Sequence, residues 1–173
     1  MDIIENRAEW QAEFDAGWLK HYHETGETNW KLYNLPRNKI APSGKALDLT
    51  QSRLVLISSA GTYLKEAQEP FDDLNDLGDY TIRTYPIETQ WEALAIAHTH
   101  YDHTAVNTDH QVLLPFEHLH NMVANGQIGE LAPEVISFMG YQPIATNVVD
   151  ETIPAIVEAV KAQNAHGALL VPA

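Results

Sequence analysis

The sequence predicts an α/β domain: a mainly parallel sheet flanked by helices, preceded by an N-terminal helix and an irregular arm. Three observations carry this. Leu54-Val55-Leu56-Ile57 is a continuous apolar run of strand length, as a strand buried on both faces requires. Leu94-Ala95-Ile96-Ala97 and Ala168-Leu169-Leu170-Val171 repeat that pattern. Helical periodicity falls between such runs: Ile153, Ile156, Val157 and Val160 follow i, i+3, i+4, i+7 within 150–164. The three apolar runs are expected as central, mainly parallel strands, with a weaker strand at Tyr80–Tyr85. The loops after Ile57 and Ala97 are expected at one sheet edge.

The remaining elements follow in chain order. Glu5 to His23 reads as a helix, because Trp10, Phe14, Trp18 and Tyr22 recur every four residues and form one stripe. That stripe needs cover, from the same chain or from another subunit. Thr25 to Leu49 carries Pro36, Pro42 and Gly44 and reads as a long connection. These boundaries give a helix and arm at 1–52 and an α/β domain at 53–173. Pro115 to Asn125 reads as a helix with proline at its start and Gly126 past its end. Pro154 is tolerated in the first turn of the last helix. Gly140 is expected to end a helical stretch, with Phe138, Met139 and Tyr141 mostly in the core.

Composition removes several function classes. The chain of 173 residues has 10 Lys+Arg against 24 Asp+Glu, a net charge of −14. Such a charge repels nucleic-acid phosphates and anionic membranes. Cysteine is absent, so neither a disulfide framework nor a thiol nucleophile lies among these residues. No apolar run approaches the roughly 18 residues of a membrane span. The opening MDIIENRAEW lacks the basic and apolar regions of a secretory signal. A cytoplasmic protein is expected.

Two post-strand loops hold candidate chemistry. His98-Thr99-His100-Tyr101-Asp102-His103 matches an HxHxDH pattern, whose imidazoles and carboxylate can hold zinc or iron and activate water. The candidate metal ligands are His98, His100, Asp102 and His103. Against a hydrolase, His118 and His120 fall inside a helix, and His166 precedes a strand without flanking glycines of the expected kind. A polar, metal-free binding loop is the competing reading. The second loop, Ser58-Ser59-Ala60-Gly61-Thr62, offers backbone N–H groups and hydroxyls to a carboxylate.

These segments together resemble selenoprotein B of the glycine/betaine/sarcosine/D-proline reductase family. The matching stretches are LISSAGTYL at 56–64, Gln68-Glu69-Pro70-Phe71, Gly78-Asp79-Tyr80 with Arg83, HTHYD at 98–102, Asp109, Leu114-Pro115, and IGELAPEVISFMGY at 128–141. The resemblance covers about Arg53 to Ala173 and accounts for the histidine loop without hydrolase chemistry. It implies reductive cleavage of a C–N bond α to a carboxylate, in a small amino acid or N-methylated derivative. It implies His98, His100 and Asp102 as catalytic residues, and Ser58, Ser59, Gly61 and Tyr101 as substrate-binding residues. It also implies other reductase subunits, a dithiol or thioredoxin-type donor, and a homo- or hetero-oligomer. The family's selenocysteine, or its cysteine counterpart, follows the strand corresponding to Ala168–Pro172. Two readings stand: a chain ending at a selenocysteine codon, which is favoured, or a short paralogue that binds or regulates. If the first holds, Ala173 should end within about 10–15 Å of the mouth lined by His98, His100 and Ser58–Gly61.

Overall fold

The computed structural model describes residues 3–40, 44 and 46–173. Part of the predicted connection, residues 41–43 and 45 with Pro42, lies outside the described residues. By internal packing the chain divides into Met1–Lys45 and Ala46–Ala173.

In the first unit, α1 (Arg7–Phe14), a π-helical stretch (Asp15–Leu19) and α2 (Lys20–Thr25) run on continuously. Side chains four apart on a pure α-helix drift by about 40° per step. The π turn underwinds the helix and keeps the stripe in line. Trp10 stacks on Phe14 at 5.0 Å, Phe14 on Trp18 at 5.4 Å and Trp18 on Tyr22 at 5.8 Å. Tyr33 packs edge-on against Trp10, Phe14 and Trp18, and the Trp10 indole donates to the Asn34 carbonyl. The stripe is therefore covered by residues of its own unit, and Trp10, Phe14 and Trp18 are buried.

The second unit is built around β1 (Arg53–Ser58). After it come β2 (Thr62–Leu64), β3 (Ile82–Pro86), β4 (Leu94–Ile96), α3 (Thr104–Thr108), α4 (Phe116–Ala124), β5 (Glu130–Leu131) and β6 (Glu134–Phe138). The chain closes with α5 (Ala145–Asn147), a π-helical stretch (Val148–Thr152), α6 (Ile153–Ala162) and β7 (Gly167–Val171). β7 runs parallel to the whole of β1 on one edge. On the other edge β5 pairs parallel with the start of β1 and β6 with its end. β3 then adds antiparallel to β6. The α/β class holds, with helices flanking a mostly parallel sheet.

β1 is buried on both faces, as its unbroken apolar run requires. Leu54 and Leu56 pack with Leu94, Leu114, Phe116, Leu119 and Ile128. Val55 and Ile57 face the opposite way, toward Ile136 and the Ile156, Ala159 and Val160 side of α6.

Three expectations fail. Ala168–Val171 forms β7, which is not central: it pairs only with β1, at the edge of the sheet, and Leu170 is 69% exposed. Leu94–Ala97 is not a central parallel strand: β4 pairs only with β2, antiparallel, in a separate two-stranded ribbon. Leu94 is buried in the core without joining the sheet, and an apolar run signals burial rather than pairing partner. Gly140 does not end a helix. It follows β6, whose Val135 and Ile136 are β-branched and fully buried.

The ribbon is tied to the sheet at Gly61. Gly61 has φ +67°, and its carbonyl accepts from Ala97 N at 2.9 Å. A Cβ there would lie 2.5 Å from the Ala97 oxygen and 2.9 Å from His98 Cβ. Gly61→Ala should therefore destabilise the protein by at least about 2 kcal/mol in urea unfolding, through both the left-handed backbone and the clash. A loss under about 0.5 kcal/mol would show that this junction does not hold the ribbon.

Candidate functional site

Parallel pairing delivers the carboxyl ends of β1, β6 and β7 to one edge. Hydrogen bonds then join the three exits. Ser59 N donates to Val171 O at 3.1 Å, Gly140 N to Ser59 O at 3.0 Å and Gly61 N to Phe138 O at 2.9 Å. Ala173 N donates to Ser59 Oγ at 2.9 Å. Ala173 thus sits at the mouth expected for it, against the serine turn.

The turn amides are spent inside the fold. Besides Ser59 N and Gly61 N, Ala60 N donates to Ser58 Oγ and Thr62 N to Ser137 Oγ. The expected N–H cradle for a carboxylate is therefore not available in this arrangement. Ser58 is fully buried and shapes the turn. Beneath it, Thr62 Oγ1 bonds Ser137 Oγ at 2.9 Å and Tyr85 Oη at 2.7 Å, a buried hydroxyl network that fixes the exit of β1. Burial pushes the Tyr85 phenol well above its ordinary range.

Two polar groups at the mouth lie close to Gly140. A Cβ at Gly140 would lie 3.2 Å from His98 Nε2 and 3.2 Å from Ser59 Oγ. His98 Nδ1 accepts from His100 N at 3.2 Å, so the neutral imidazole carries its proton on Nε2. Burial pushes the His98 pKa down to about 4, aided by His100 and His103 and opposed by Asp73. Ser59 Oγ accepts from Ala173 N and keeps its own proton to give. Gly140 therefore lies close to both neutral donors, which only a residue without a side chain allows at this approach.

The rest of the histidine loop is anchored around this pair. Thr99 Oγ1 donates to Asp73 O, and His103 Nε2 lies 2.8 Å from His98 O. The Tyr101 ring stands edge-on to His98 at 4.9 Å, and its hydroxyl reaches Ala60 O at 3.4 Å. Burial raises that phenol to about 12. His100 is exposed and lies flat on Tyr141 at 3.6 Å. Asp102 is turned away: its Oδ1 accepts from the amide and hydroxyl of Thr104 at the start of α3, and those bonds hold its carboxyl below the usual range. Among the described residues no three His, Asp or Glu side chains are grouped to hold a metal ion. His98 Nδ1, His103 Nε2 and Asp102 Oδ1 are each engaged within the loop, which leaves His98 Nε2, His103 Nδ1 and Asp102 Oδ2 as the ligating atoms not so used.

Gly140 and Tyr141 belong to the site although the sequence pattern suggested core and a helix end. Met139 is core, fully buried with Phe71 and Ala97. The signal for Tyr141 was its place in the SFMGY stretch; nothing in periodicity revealed that it would meet His100.

A family model described as glycine/sarcosine/betaine reductase selenoprotein B matches residues 21–172. The chain belongs to this family. The D-proline reductase subunit gamma of Acetoanaerobium sticklandii is 28% identical over 123 residues, covering 71% of this chain and 49% of that protein. The chain thus spans about half the length of this curated relative. No solved structure matches the chain. Several stretches that carry the family resemblance are structural. Arg83 spends its guanidinium on the Glu69, Pro70 and Ile82 carbonyls and Thr81 Oγ1, and lies over the Phe71 ring at 4.4 Å. Gln68 bridges Leu64 N and Thr84 O. Among the described residues no helix is long and apolar enough to cross a membrane.

The depressed His98 pKa predicts a pH dependence of stability. The unfolded chain takes up a proton on this imidazole near its ordinary pKa, whereas the folded protein does so only near pH 4. Stability from this group is therefore complete above about pH 6.5 and falls as pH drops toward 4, by up to about 3 kcal/mol. Chemical denaturation across pH 4–7 should show a smaller slope in His98→Asn than in the parent protein. Identical slopes would mean that His98 is not held neutral.

Proposed function

We propose that this chain forms the substrate-binding part of a selenoprotein-B-type amino-acid reductase, acting on a small amino acid such as glycine, sarcosine, betaine or D-proline. The observation that carries the reading is the pair of neutral donors, His98 Nε2 and Ser59 Oγ, both 3.2 Å from where a Gly140 Cβ would lie, beside the end of the chain at Ala173. Two neutral N–H and O–H donors suit a carboxylate, which has acceptors only. A glycine at this approach leaves room only for a small ligand beside the two donors. Tyr101 would wall the pocket and hold the His98 ring. His100, exposed on Tyr141 at the rim, would pass protons. Asp102 would set the start of α3 rather than touch substrate.

Reductive cleavage of the Cα–N bond consumes two electrons and two protons: glycine, sarcosine or betaine would give ammonia or an amine and the deaminated acid, whereas the ring of D-proline would open to one linear amino acid. A selenolate or thiolate supplies the soft nucleophile for such a step. None lies among these 173 residues, which hold no cysteine. A residue joined after Ala173 would enter the same mouth, within reach of a molecule beside Ser59 and His98. The electrons would come from a dithiol or thioredoxin-type donor, through partner subunits of the reductase.

Calorimetric titration of the chain with glycine, sarcosine, betaine and D-proline separates binding from turnover. At least one should bind, and Gly140→Val should weaken it at least tenfold by filling the space beside the donors. Failure of all four, or indifference to Gly140→Val, would overturn the site. The 173-residue chain supplied with dithiothreitol should turn over none of them. Robust reduction by it would overturn the need for a further nucleophile.

A further inference from the structure

We propose that the chain forms a reciprocal dimer in which the arm Trp30–Ile40 of one copy docks in the acidic cleft beside Trp91 of a second copy. The arm combines two properties that are scarce elsewhere in the chain. It carries Lys31, Arg37 and Lys39 and no carboxylate, so it holds three of the chain's ten cations within eleven residues. It also exposes Trp30 (49%), Leu32 (44%), Leu35 (59%) and Ile40 (68%). Among the described residues these are four of the eleven exposed large apolar side chains. So dense an apolar and basic surface is a mark of an interaction site.

The arm is nevertheless ordered. Glu5 accepts from the amides of Lys39 and Ile40, Asn38 bonds Ile3 O and Glu5 N, and Asn34 pairs with Glu13 and with the Trp10 indole. The backbone is thus held in place; Trp30 leans on Trp18 and Tyr33, while Leu32, Leu35, Ile40 and the three cations face outward. A preorganised segment of this kind loses little entropy when it docks.

Charge decides the occupant. Residues 46–173 hold 17 Asp and Glu against four Lys and Arg, so this unit is the acidic counterpart of the arm. Its cleft of about 250 Å³ has exposed Glu88, Glu92 and Glu117 on the rim and Trp91, Ile87 and Phe116 beneath. The cleft offers three carboxylates, of which Glu88 lies 3.7 Å from His120 and Glu117 accepts from Gln111, and an apolar floor for one inserted side chain. It lies on other elements than the Ser59–His98 mouth, so docking does not draw on substrate-site residues. Two copies exchanging arms give a closed, two-fold pair with both contacts identical.

The test uses two charge-reversed full-length chains, each checked for folding by circular dichroism. One carries Lys31→Glu, Arg37→Glu and Lys39→Glu. The other carries Glu88→Lys, Glu92→Lys and Glu117→Lys. By light scattering, the parent protein should show twice its 19.4 kDa mass at low salt and dissociate as salt rises. Each variant alone should be monomeric. Their equimolar mixture should recover the dimer, because the reversed arm meets the reversed cleft and the parental arm meets the parental cleft. A monomeric parent, variants that remain dimeric, or a mixture that stays monomeric would each overturn the proposal. If the cleft variant loses its fold, the arm variant titrated against the parent decides: a dimer of undiminished affinity rejects the arm as the contact.

Discussion

Residues 53–58 have hydrogen-bonding strands on both edges and packed side chains on both faces. β7 occupies one edge, β5 and β6 the other, Leu54 and Leu56 fill one core layer, and Val55 and Ile57 fill the opposite one. No water reaches this backbone, so every N–H and C=O must find a strand partner. Because β6 and β7 run parallel to β1 and pair with its end, the carboxyl ends of these three strands arrive together. The candidate site is the place where the chain must leave that arrangement and still satisfy its backbone.

The way those demands are met determines what the site can bind. The Ser59, Ala60, Gly61 and Thr62 amides donate to Val171, Ser58, Phe138 and Ser137. A turn with these amides free would be an anion cradle, but here they are the joints of the sheet. The polar groups left over are side chains, the Ser59 hydroxyl and the His98 imidazole, both close to Gly140. Holding His98 neutral is part of the same economy: a buried, uncharged N–H donor can face a carboxylate without titrating near neutral pH.

The N-terminal unit solves a different problem. Four aromatic rings on one helix stripe have too much apolar surface for a lone helix, and a π-helical turn keeps them stacked while Tyr33 closes over them. That leaves the outward side chains of the arm, basic and apolar together, on a chain that is otherwise strongly acidic. The contrast between the two units is electrostatic as much as structural.

The α/β class, β1, α4, the existence of β7 and the aromatic stripe were legible in the sequence, because apolar runs and helical periodicity each leave a local pattern; that β7 is a half-exposed edge strand was not. The family resemblance was legible too, in short stretches whose order and spacing survive along the chain. The role of Leu94–Ala97 was not, since an apolar run records burial and not its hydrogen-bonding neighbour. The strand at Glu134–Phe138 and the place of Gly140 and Tyr141 at the mouth were likewise decided by tertiary structure. Asp102 and His100 share one motif, yet one caps Thr104 and the other stacks on Tyr141. Residue types and spacing say which groups are available. Only the three-dimensional hydrogen-bond account, in which each donor is assigned once, says which remain to meet a ligand.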